Sequence, residues 1–154
     1  MGVSKYGFPE RLFFDNKDDD KTSYFLEEID IDLSVESKFD YPSLGQVKAA
    51  ISETSFQFDN GQIIEEFGNK KWACRLYENG EVKTPIYINH VIFDNDKVKD
   101  ISFQRGDDKA IIEFLWHLSK YCGSILFYCD TGSMILIRTD KTIEETQKNF
   151  YEEN

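Results

Sequence analysis

The chain is poor in the residues that metalloenzymes, redox proteins and nucleic-acid binders depend on. It has two histidines and three cysteines in 154 residues. Cys74, Cys122 and Cys129 are odd in number and form no CxxC pair, so no disulfide framework, zinc knuckle or redox motif is implied and reduced core thiols are expected. His90 falls on an apolar alternation and reads as a core-edge side chain, while His117 follows Glu113 by one helical turn and reads as its partner. Cys122, Cys129 and a histidine are too loosely spaced to read as a zinc set, so no metal or cofactor is expected. GxSxG, Walker A and GxGxxG strings are missing, and Asp18-Asp19-Asp20 lacks the glycine and distal glutamate of a calcium loop, so no catalytic residue is assigned. No run reaches the eighteen or so apolar residues of a membrane span. The start, MGVSKYGFPERLFF, lacks the parts of a signal peptide, and Tyr6 stands where a myristoylation signal has Ser or Thr. A cytosolic location is the expectation.

Positive charge is also scarce. There are 18 Lys and Arg against 29 Asp and Glu, a net charge of −11. Without a basic cluster, a phosphate backbone or an anionic membrane is excluded as a partner. The imbalance is local: residues 1–36 hold four basic and ten acidic side chains, a net −6 of the −11. An acidic surface steers basic proteins toward it and speeds their association.

Large core-forming groups are abundant, with 13 Phe, 8 Tyr and 2 Trp. That is enough to drive a single globular domain over residues 1–154 without disulfides or metal. Trp72 and Trp116 occupy apolar positions and read as core. Residues 1–22 read as an entry segment ending in a charged loop. Ile29, Ile31, Leu33 and Val35 then alternate with Asp30, Asp32, Ser34 and Glu36, the period of a strand with one buried and one acidic face. Leu44, Val47, Ala50 and Ile51 recur at helical spacing behind Ser43, a candidate cap. Phe56 and Phe58, the turn signal Asp59-Asn60-Gly61 and Ile63-Ile64 suggest strands without fixing their register. Asn79-Gly80 between alternating flanks signals a type I′ hairpin. Asp94-Asn95-Asp96-Lys97 divides a second hairpin, which would extend an antiparallel meander.

Asp107-Asp108 opens a helix whose Ile111, Phe114, Leu115, Leu118 and Cys122 share a stripe, with Gly123 placed for a left-handed end. Ile125–Cys129 and Met134–Ile137 flank Asp130-Thr131-Gly132-Ser133 as a hairpin, and their apolar character on both faces predicts central strands. A helix capped by Thr142 or Asp140 closes the chain. The expected fold is α+β: a mostly antiparallel sheet of about five to seven strands with two to three helices packed on it.

The string Asp130-Thr131-Gly132-Ser133 is similar to the active-site turn of aspartic proteases, which a chain of this size would have to use as a homodimer. Its late position and the polar residues after it favour plain turn chemistry, in which Asp bonds nearby backbone and Gly accepts positive φ. In FLWHLSKYCGSILFYCDTGSMILI a helix ends at Cys122-Gly123 and leads into a strand, an Asp-x-Gly turn and a strand. With its size, acidity and wealth of Phe and Tyr, the chain resembles the small acidic immunity proteins that protect bacteria from their own polymorphic or contact-dependent toxins. That resemblance implies a cytosolic one-to-one inhibitor covering a toxin domain, often a basic nuclease. Its carboxylates would stand in for substrate phosphates, with Asp18, Asp19, Asp20, Glu28, Asp30, Asp32 and Glu36 as candidate contacts. The alternative reading is an α+β ligand-binding or structural module without catalysis.

Overall fold

The computed structural model describes residues 3–25, 31–89 and 97–154. In chain order its elements are β1 (Lys5–Pro9), α1 (Glu10–Asp15), α2 (Asp20–Phe25), α3 (Leu44–Glu53), β2 (Gln57–Phe58), β3 (Gln62–Glu66) and β4 (Asn69–Glu78), then β5 (Glu81–Asn89), β6 (Ile101–Ser102), α4 (Asp108–Cys122), β7 (Ile125–Cys129), β8 (Met134–Ile137) and α5 (Ile143–Glu153). The fold is α+β, as expected. All eight strands join one sheet in the order β2-β4-β5-β6-β1-β7-β8, with β3 beside β2 on the same flank of β4. Every pairing is antiparallel.

Local sequence accounts for most of the element ends. Ser43 and Gln46 form a reciprocal capping box at the start of α3, and Thr142 and Glu145 do the same for α5. Asp107 accepts the Ala110 amide at 3.0 Å to open α4, which closes at Gly123 with φ 79°. Asn79 and Gly80, at φ 52° and 78°, make the expected β4–β5 turn. The β5–β6 pairing of Tyr87 with Ser102 extends the meander. Of its connection, residues 90–96, with His90 and Asp94-Asn95-Asp96, lie outside the described residues, whereas Lys97 forms an isolated β-bridge with Ser43 and Val98 is buried.

Three long helices, α3, α4 and α5, bury one sheet face. Phe103, Phe114 and Phe127 sit at its centre, fully buried with Ile86, Ile88 and Ile101. Trp72 belongs to this core and Trp116 packs half-buried against it. At the β1–β7 end the other face carries a smaller cluster around Phe13 and Leu126, joined by Phe8, Phe25, Ile31, Leu33, Met134 and Leu136. The short helices α1 and α2 supply Phe13 and Phe25 to it.

Three expectations need correction. Residues 1–22 are more than an entry segment: β1 lies inside the sheet between β6 and β7, and it can do so because Gly7 presents no side chain to Leu115 of α4. Ile31–Glu36 form no strand. The Ser34 amide and hydroxyl donate to Asp32 Oδ1 at 3.0 and 2.6 Å, and Val35 N–H donates to the Asp32 carbonyl at 3.3 Å. This local side-chain turn satisfies the backbone in place of a ladder. Ile31 and Leu33 still reach the smaller cluster, but Val35, the next apolar residue of the alternation, is exposed, and Ile29 and Asp30 lie outside the described residues. Finally, β7 is interior but β8 is an edge. β8 is apolar on both faces because Ile135 and Ile137 pack with the main core while Met134 and Leu136 join the smaller cluster.

Candidate partner-binding surface

The acidic candidates can be followed from the backbone outward. After α1 the chain turns at Asn16, whose carbonyl accepts the Asp19 amide at 2.9 Å and the Thr22 hydroxyl at 2.5 Å. Asn16 Nδ2 in turn donates to the Leu12 carbonyl at 2.7 Å. The turn is tied down on its inner side, and Asp18, Asp19 and Asp20 are left exposed. Beneath it Phe25 contacts Phe13 at 5.9 Å, Phe8 at 6.1 Å and Tyr128 at 5.3 Å between ring centroids. These rings anchor α1 and α2 to β1 and β7.

The segment 31–41 is strapped to the same end. Ser37 Oγ donates to Glu10 Oε2 at 2.7 Å, and the Tyr41 hydroxyl donates to Asp15 Oδ2 at 2.8 Å. Burial and the neighbouring Asp15 carboxylate push the Tyr41 phenol well above its ordinary value, so it remains a donor. Asp32 and Glu36 are exposed on this segment. The Ser34 hydroxyl and amide hold the Asp32 carboxyl below the ordinary carboxylate range. Asp18, Asp19, Asp20, Asp32 and Glu36 are thus carried by pieces of chain that share one apolar cluster, and no period-2 ladder connects them. Glu28 and Asp30 lie outside the described residues.

A cleft of about 550 Å³ opens at this end, walled by Phe8, Phe25 and Tyr128 and also lined by Asp19 and Asp100. Neither the cleft nor its position beside the acidic turn could be read from the sequence. Phe8 and Phe25 stand 17 residues apart, and Tyr128 arrives only through the pairing of Tyr6 with Tyr128 and Phe8 with Leu126.

The other candidate chemistries resolve into structure. Asp130 Oδ2 accepts the Ser4 amide at 3.1 Å, Asp130 N–H donates to the Ser4 carbonyl at 3.0 Å, and Gly132 has φ 101°. The Asp-Thr-Gly string is a hairpin turn pinned to the chain ahead of β1. His117 Nδ1 faces Glu53 at 3.4 Å, whereas the expected partner Glu113 accepts the Ser55 amide and hydroxyl. Burial and nearby Lys120 lower the His117 pKa. Glu53 also accepts Lys120 Nζ at 3.2 Å and the Tyr121 hydroxyl, which ties α3 to α4. Burial pushes the Cys74 and Cys122 thiols up to about 12 and Cys129 to about 11. Among the described residues no three of His, Cys, Asp and Glu gather as metal ligands, and no helix is long and apolar enough to cross a membrane.

Compared with protein-family models, with curated proteins and with solved structures, the chain matches none.

Proposed function

We propose that this chain is a non-enzymatic inhibitor that acts in the cytosol by binding a basic protein, in the manner of an immunity protein covering a cognate toxin domain. A nuclease domain, with a cleft built to hold phosphates, is the kind of partner that suits it. The observation carrying this reading is the exposed carboxylate set Asp18, Asp19, Asp20, Asp32 and Glu36 around one aromatic cluster. Carboxylates so arranged raise the encounter rate with a cation-lined cleft, and salt suppresses that gain because exposed charges are screened within about 8–10 Å at moderate ionic strength. Adjacent rings would add apolar contact once the complex forms.

The test is stopped-flow capture of the polypeptide encoded by the adjacent gene, at low and moderate salt. Converting Asp18, Asp19, Asp20 and Asp32 to Asn and Glu36 to Gln should slow association about tenfold or more and flatten its salt dependence, with the melting temperature little changed. Absence of a complex at low salt, or equally fast capture by the neutralised chain, would sink the proposal. A second reading, a ligand-binding module, is favoured by the cleft, whose volume of about 550 Å³ falls in the range of small-molecule sites. Thermal stabilisation by members of a small-molecule panel, lost in Phe25→Ala, would support it.

A further inference from the structure

The meander contains two hairpin turns of the same geometry but very different chemistry. The β4–β5 turn uses Asn79-Gly80, whose positive φ suits both residues. The β3–β4 turn places Phe67 at φ 51° and Gly68 at φ 79° between the paired residues Glu66 and Asn69. A type I′ turn favours Asn, Asp or Gly at its first central position, and a bulky aromatic there is held in a strained backbone. Phe67 gains nothing from its own chain in return. Phe67 is 101 % exposed, and nothing lies within 4 Å of the position a Gly68 side chain would occupy.

The strained backbone opposes stability and the exposed ring buries no area to offset it, so a type I′ turn would form more readily with Asn at 67. We infer that Phe67 is an interaction anchor, presented on a stiff hairpin for insertion into an apolar pocket on a protein partner. The surroundings specify that chemistry. Glu65 stands opposite Lys70 in the ladder, and Glu66 lies 3.7 Å from Lys71 Nζ, so the charges flanking the tip compensate one another on a chain of net −11. Charge steering belongs to the 18–36 region, and the tip offers shape and apolar area. A lipid surface is disfavoured, because anionic headgroups repel a chain of this charge.

The inference rests on the protein-binding reading above, and it separates from that reading by kinetics. In the complete chain, Phe67→Asn should raise the melting temperature by about 2–4 °C through relief of the turn. The same variant should bind the adjacent-gene polypeptide at least tenfold more weakly, through faster dissociation at an unchanged association rate. Phe67→Tyr should keep the affinity. A complex whose dissociation is unaffected by Phe67→Asn would overturn the anchor and leave the inhibitor reading standing. A lower melting temperature for Phe67→Asn would overturn the strain argument. Phe67-dependent cosedimentation with phosphatidylcholine–phosphatidylglycerol vesicles would replace the protein pocket with a membrane. Absence of any complex with the wild-type chain removes both readings together.

Discussion

The packing of β1 beneath α4 turns on one missing methyl group. A Cβ at Gly7 would lie 2.8 and 3.2 Å from the two terminal methyls of Leu115, and 3.6 Å from Ile125 Cγ2. Carbon atoms pack best at about 3.5–4.0 Å, so the first contact is too close by roughly 1 Å. Leu115 is fully buried in the main core, so moving its methyls aside disturbs packed neighbours. Gly7→Ala should therefore incur an overpacking penalty of about 1–3 kcal/mol. Reduced entropy of the unfolded chain offsets roughly 0.4–1 kcal/mol, leaving a net loss of about 1–2 kcal/mol. Leu115→Ala should cost about 2–5 kcal/mol by opening a cavity. In the double variant the new methyl occupies part of that cavity, so its cost should fall short of the sum by about 0.5–2 kcal/mol. Urea unfolding followed by circular dichroism, at constant m-value, measures all three. Gly45 is a control, since a Cβ there meets only Ser43 Oγ at an ordinary 3.7 Å within α3. Gly45→Ala should stabilise by about 0.5–1 kcal/mol. Additivity of Gly7→Ala and Leu115→Ala within about 0.5 kcal/mol, or a gain in stability from Gly7→Ala, would refute the steric account.

Asp107→Ala removes the side-chain acceptor of the Ala110 amide at the start of the central helix and should cost about 1 kcal/mol in the same assay, with Asp107→Asn recovering most of it. With thiols raised to about 12 at Cys74 and Cys122 and about 11 at Cys129, iodoacetamide at pH 8 should leave all three unmodified in the folded state and label all three in urea. Rapid native labelling of any one would contradict its burial. Because the folded-state pKa of His117 is lowered, the unfolded chain binds its proton first as pH falls. The stabilisation is present above about 6.5 and is lost as pH drops through the lower folded value. His117→Gln should flatten that part of the stability–pH curve, and a steeper dependence in the variant would show the sign to be wrong.

Sequence alone determined those features whose cause is local. Ser43, Asp107 and Thr142 cap the helices they precede, Asn79-Gly80 turns the hairpin it signals, and the stripe from Ile111 to Cys122 faces the core. A cap or a type I′ turn is decided by a few neighbouring backbone groups, so its signature lies within a few residues. The excess of carboxylates in residues 1–36 and the α+β class were legible for similar reasons, one by counting and the other by periodicity. Tertiary structure decided where these pieces went. The alternation through Ile31, Leu33 and Val35 reads as a strand, yet only Ile31 and Leu33 are packed while Val35 is exposed, and the Asp32–Ser34 turn stands in place of the expected ladder. Lys5–Pro9 carries no strong strand pattern and becomes an interior strand because β6 and β7 accept it on either side and Leu115 needs the space above Gly7. The grouping of Asp18–Asp20 with Asp32 and Glu36, the cleft between Phe25 and Tyr128, and the exposure of Phe67 all depend on long-range pairings. Such pairings are set by burial summed over the whole molecule, which a sequence window does not contain.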